Sequence, residues 1–131
     1  MKQSSISERD AVFIMSVAAR LVEMHPSTLR KYERCGLLEP CRISGRLRLY
    51  SEDDIARLRQ IKVLVEDRGI NLAGVELALE LTLRAEQLRR IAVEEPDADR
   101  VRQAARFLAD AMLERLGNPN FDKDRRDSPS R

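Results

Sequence analysis

Residues 16–50 read SVAARLVEMHPSTLRKYERCGLLEPCRISGRLRLY, two short amphipathic segments followed by an arginine-rich run. In the first segment Val17, Ala18, Leu21 and Met24 recur at helical spacing and form the expected inward face, with Ser16 as the expected N-cap. The second starts at Pro26, whose fixed φ suits the first helical position, with His25 in the N-cap place. Leu29, Tyr32 and Leu37 are expected to pack inward, and Gly36 to close the helix in a left-handed conformation. Ser27, Thr28, Arg30, Lys31 and Arg34 are left on the remaining surface. A short helix of that composition, steadied by a partner helix, has the shape and charge to enter a DNA major groove.

After it, CRISGRLRLY alternates around Ser44-Gly45, which predicts a hairpin offering Arg42, Arg46 and Arg48 to a nearby phosphate backbone. Helix, turn, helix and basic hairpin together predict a mainly α fold of the winged helix-turn-helix class. Val12 to Met15 is a short apolar run expected to form a small leading strand. Downstream, Ser51 to Asp54 has the pattern of a capping box, and Tyr50 and Ile55 are spaced as a hydrophobic staple around it. A third helix is thus expected from about Glu52 to Asp67, packing Ile55, Leu58, Ile61, the Lys62 methylenes and Leu64 or Val65, and stopping at Gly69. Asn71 is placed to cap a fourth, with Leu72, Val75 and Leu79 apolar.

From Leu77 the pattern narrows: Leu77, Leu81, Leu88 and Ile91 recur at heptad-like spacing between charged flanks. Such a stripe suits a partner helix, so these residues are the expected dimerisation set. Pro96 interrupts, and a last helix is expected from Asp97 to Leu116 with Val101, Ala105, Leu108 and Met112 on one face. Around Pro96 a hairpin, a swapped pair and a kinked rod all remain open. The expected organisation is a loose arm over 1–11, a DNA-binding domain over 12–76, a helical dimerisation or effector region over 77–117 and a disordered tail over 118–131.

The 131 residues are 43% hydrophobic but only 4% aromatic, and 35% are charged with a net charge of +2. Overall charge therefore says little about nucleic acid, whereas its distribution says more. Between Arg30 and Arg48, six basic residues face only Glu33 and Glu39. No apolar run approaches the roughly 20 residues needed to cross a membrane, and no signal core leads the chain, so a cytoplasmic protein is expected. Cys35 and Cys41, with His25 as the lone histidine, do not supply four zinc ligands. They read as core or incidental thiols, and neither metal nor cofactor is expected. The acids Glu94, Glu95, Asp97 and Asp99 have no accompanying nucleophile, base or phosphate loop, so an enzyme is not expected.

The segments VAARLVEMHPSTLRKYERCGLLEP, the wing with Arg42, Gly45, Arg48 and Tyr50, and YSEDDIARLRQI resemble the MerR family of transcriptional regulators over about Val12 to Leu81. The run DRGINLAGVELALEL and the Met24-His25 pair are most similar to its heat-shock repressor subgroup. That resemblance implies a two-fold dimer reading an inverted repeat in double-stranded DNA, repression of chaperone genes and a chaperone as co-repressor. Within it Arg30 is the base-reading residue, while Ser27, Thr28, Lys31 and the Tyr32 hydroxyl meet phosphate. Arg42, Arg46 and Arg48 clamp the backbone, and Tyr50 closes the wing. Two other readings are a related adaptor that binds a protein of a chaperone system without reading DNA, and a helical scaffold that merely oligomerises.

Overall fold

A computed structural model of the chain describes residues 13–43 and 47–118. The expected arm and tail, the hairpin tip at Ser44-Gly45 and Arg46 lie outside them. The described elements are β1 (Phe13–Ile14), α1 (Met15–Val22), α2 (Pro26–Arg34), β2 (Cys41–Ile43), β3 (Leu47–Tyr50), α3 (Glu52–Lys62), α4 (Leu72–Glu94) and α5 (Ala98–Arg115). They fall into two compact units, Met1–Leu72 and Ala73–Arg131.

In the first unit the small sheet has the order β1-β3-β2, antiparallel throughout. Phe13 pairs with Tyr50 and Ile14 with Leu49, so the expected leading strand is real but two residues long. It runs straight into α1. That corrects one expectation: the N-cap position is Ile14, with no side-chain cap, and Ser16 lies inside the helix. The inward face is corrected in part. Ala18 is buried as expected, together with Ala19 and Val22, whereas Val17 and Leu21 are 38% and 41% exposed. Two alanines let α1 approach α2 and α3 closely, so the small residues set the face that the larger aliphatics were expected to set.

The turn into α2 passes through Glu23, a non-glycine residue in the left-handed region at φ 55°. Its amide and that of Met24 return to Arg20 and Ala19 at 3.2 and 2.9 Å. Lys62, arriving on α3, donates its ammonium to the carbonyls of Val22 at 3.2 Å and Glu23 at 3.3 Å. The carbonyls that α1 leaves without helical partners are thereby closed by a cation, which also suits the negative end of the helix dipole. Lys62 was expected to contribute only its methylenes.

At the start of α3, Ser51 Oγ accepts from the Asp54 amide at 3.1 Å, and Asp54 accepts from the Ser51 amide at 2.9 Å. This is the expected capping box, and Tyr50 and Ile55 are buried on either side of it. The α-helical part of α3 ends earlier than expected. Residues 63–67 form a π-helical turn in which the Arg68 amide reaches back to Val63 at 3.1 Å, before Gly69 reverses the chain at φ 63°. Leu29, Leu58, Ile61 and Tyr50 are fully buried in this unit. The Tyr50 hydroxyl is buried without a hydrogen-bond partner among the described residues. Burial raises its pKa first of all, with the Glu33 charge adding to the rise.

In the second unit α4 carries Val75 and Leu79 buried, as their spacing predicted. Asp97 caps α5 by accepting from the Asp99 amide at 2.9 Å. Arg115 near the end of α5 grips Glu80 near the start of α4, its Nε 2.6 Å and its Nη2 3.3 Å from the two carboxylate oxygens. Glu80, Leu81 and Arg84 thus face Ala111, Met112 and Arg115, and Ile91 faces Ala104 further along. Of the three arrangements left open around Pro96, the structure is an antiparallel helical hairpin. Its fork-like tie holds the Glu80 carboxyl below the usual glutamate range, chiefly through the hydrogen bond from Arg115.

Two outcomes are expected from these features. A carboxylate whose folded pKa is depressed stabilises the fold above the ordinary glutamate range, and that stabilisation is lost as pH falls through the depressed value. Glu80→Gln should therefore lower the thermal midpoint slightly at neutral pH, the pair being solvent-exposed. The difference from wild type should vanish in acid; a difference that persists there would assign the effect elsewhere. Tyr50→Phe removes a buried hydroxyl that has no partner. It should be neutral or stabilising by about 1 kcal/mol in denaturant titrations, and a comparable loss would show that the hydroxyl is bonded.

Candidate nucleic-acid interface

Helix α2 is held at its start by its own side chains. His25 sits at the N-cap and its Nδ1 accepts from the Ser27 amide at 3.1 Å, with Ser27 Oγ at 2.6 Å from the same nitrogen. An accepting Nδ1 places the ring proton on Nε2. Ser27 is exposed, Thr28 half-buried, and Leu29 fully buried beneath them. Arg30 and Lys31 are exposed on the next turn. Tyr32 is 7% exposed, its phenol pKa raised by burial and then by the Glu66 carboxylate. Its ring therefore belongs to the core as expected.

The wing is joined to α2 by charge. Arg42 and Arg48 stand directly opposite one another across β2 and β3. Two like charges in that relation repel. Glu33, the acid within α2, lies between them: it accepts from Arg42 Nη2 and lies 2.7 Å from Arg48 Nε. The Arg48 contact is an ion pair whose N–H is off line for a hydrogen bond. Exposure grades outward through the triad, from 14% for the Glu33 side chain to 27% for Arg48 and 46% for Arg42. The carboxylate is innermost and Arg42 outermost, while the Arg48 Nε is itself buried.

Glu33 follows Arg30 by three residues, so the two project from one side of α2. The buried Tyr50 phenol feels the charges of both Arg30 and Arg48. Because Glu33 contacts both Arg42 and Arg48, it brings the wing cations to the side of α2 that carries Arg30. Tyr50 is fully buried, which makes it a prop beneath this side. Arg57, from α3, completes the support by donating to the Leu37 carbonyl at 2.6 Å in the segment joining α2 to the wing.

Glu33 is the residue that sequence reasoning passed over. The available signal was a single acid among the basic residues of α2, but its role depends on the strand register. Cys35 is exposed and Cys41 half-buried, both as thiols, so neither belongs to the core. Among the described residues no three His, Cys, Asp or Glu side chains come together to hold a metal ion. No helix among them is long and apolar enough to cross a membrane.

Comparison with known proteins gives a consistent picture. HspR, a Streptomyces coelicolor protein named for heat shock, is 46% identical over 89 residues, covering 68% of this chain and 59% of HspR. The chain thus spans under two thirds of that relative's length. The HTH-type transcriptional regulator GlnR of Bacillus anthracis is 28% identical over 109 residues, covering 83% of this chain and 82% of GlnR. The HTH-type transcriptional regulator MlrA of Escherichia coli is 37% identical over 70 residues, covering 53% of this chain and 28% of MlrA. The profile of the MerR HTH family regulatory protein matches residues 13–82, just over half of the chain and the whole of the helix-turn-helix and wing described above. The chain belongs to the MerR family of helix-turn-helix regulators.

Proposed function

We propose that this protein is a dimeric repressor that reads an inverted repeat in double-stranded DNA at heat-shock or chaperone genes. The observation that carries the reading is Glu33, which follows Arg30 by three residues on α2 and contacts both Arg42 and Arg48 of the wing. A guanidinium on a groove-bound helix can grip guanine with two hydrogen bonds, while wing cations beside it neutralise phosphates. Ser27 and Lys31 are exposed where the helix would meet the backbone. The likeness to HspR supports heat-shock genes as the regulated class. A chaperone as co-repressor is part of the same proposal, carried by the resemblance of DRGINLAGVELALEL and Met24-His25 to the heat-shock subgroup.

Dimerisation is assigned to the second unit. Leu77, Leu81, Leu88 and Ile91 are all half-buried on α4, while Leu83, Val93 and Phe107 remain 50–79% exposed. That leaves substantial apolar surface on the hairpin for a second copy to cover.

Selection of bound duplexes from a random pool should enrich an inverted repeat whose half-sites lie about one helical turn apart. Arg30→Ala should cost about 1–3 kcal/mol on the enriched duplex and relax preference at one base position. Arg48→Ala should weaken all sequences alike. A pool without an enriched repeat would favour the adaptor reading instead. In the ultracentrifuge a chain ending at Leu81 should sediment as a monomer, and a dimer would displace the interface from the hairpin.

A further inference from the structure

We propose that Glu33 is a specificity-determining residue of the DNA-binding face, its carboxylate occupying the wing arginines in place of phosphate. The inference rests on the DNA-binding reading above. Arg42 and Arg48 bring two positive charges to adjacent cross-strand positions, and Glu33 cancels one of them. The free wing therefore presents a net charge of +1 from this triad. A guanidinium has five N–H donors, and among the described residues the ion pair made by each arginine is with Glu33. The Arg42 side chain is 46% exposed, so a phosphate can approach it and compete with the carboxylate for its positive charge.

The competition acts unequally on the two kinds of binding. Attachment to an arbitrary duplex is almost wholly phosphate charge, so an internal anion weakens it in full. A duplex held in register by Arg30 brings its phosphates to side chains that Glu33 has already ordered. There the loss of charge is offset by preorganisation. Discrimination by an internal competitor needs only such a difference between the right and wrong partners.

The test uses the full chain and two duplexes, one enriched by selection and one unrelated, titrated by fluorescence anisotropy over a range of NaCl concentrations. Glu33→Gln should steepen the slope of log K against log salt on the unrelated duplex by about 0.9, the value for one extra counterion released. It should also narrow the affinity ratio between the duplexes several-fold. Arg42→Gln should flatten the slope by a similar amount, and the double variant should return it to that of wild type. An unchanged or flatter slope in Glu33→Gln, or a ratio that holds, overturns the proposal.

A second readout needs no substitution at Glu33. In the wild-type protein the Glu33 carboxyl carbon and the Arg48 Nε–H should shift in NMR spectra when the enriched duplex is added. Resonances that stay fixed at saturation also overturn the proposal. Failure of the wild type to bind any duplex would refute the DNA-binding reading itself, whereas binding with an unaltered slope in the variant would refute only the role of Glu33.

Discussion

The ring of Tyr50 is enclosed from several directions, and each belongs to a different part of the first unit. Across the sheet it pairs in register with Phe13, which anchors the strand leading into α1. One residue later comes the Ser51–Asp54 capping box, so the same short stretch ends β3 and starts α3. The charges of Arg30, Glu33 and Arg48 lie close enough to act on the phenol. A fully buried aromatic at such a junction fixes the sheet, α3 and α2 against one another. Its unpartnered hydroxyl is the cost of using tyrosine for the purpose.

Above that prop, a charge conflict is resolved by one carboxylate. Antiparallel register sets Arg42 against Arg48, an arrangement that would push the strands apart on its own. Glu33 turns the repulsion into two attractions and ties the wing to α2. Glu33 and Arg48 are half-buried, so water screens their contact less than an ordinary surface pair, which is worth little. The orientation of the wing relative to the helix therefore follows from a side chain in the middle of the basic surface.

Local signals made much of this readable before any coordinates. Pro26, Gly36, Gly69 and the Ser51–Asp54 box each act within a few residues, and the structure places a helix boundary at every one. Leu29, Tyr32, Ile55, Leu58, Ile61, Val75 and Leu79 follow helical periodicity into buried positions. Where reading failed, the deciding interaction was long-range. Side-chain size favoured Val17 and Leu21 on α1, but close packing with neighbouring helices selected the alanines. The role of Glu33 depends on which strand residues face each other, and that register is invisible to composition. The α4–α5 hairpin brings Glu80 to Arg115, 35 residues away, a pairing that periodicity within either helix does not encode.

The lysine that closes α1 has a consequence for how the helix pair and wing are assembled. Lys62 lies 40 residues beyond the carbonyl it caps. The left-handed turn at Glu23 that aims α2 is therefore secured only after the hairpin and α3 have been laid down. A two-helix fragment cut from residues 15–34 would carry the side chains suited to the groove but lose the clasp that sets their pitch. Grafting the helix pair and wing onto another scaffold would require transplanting everything as far as the third helix, as one indivisible piece.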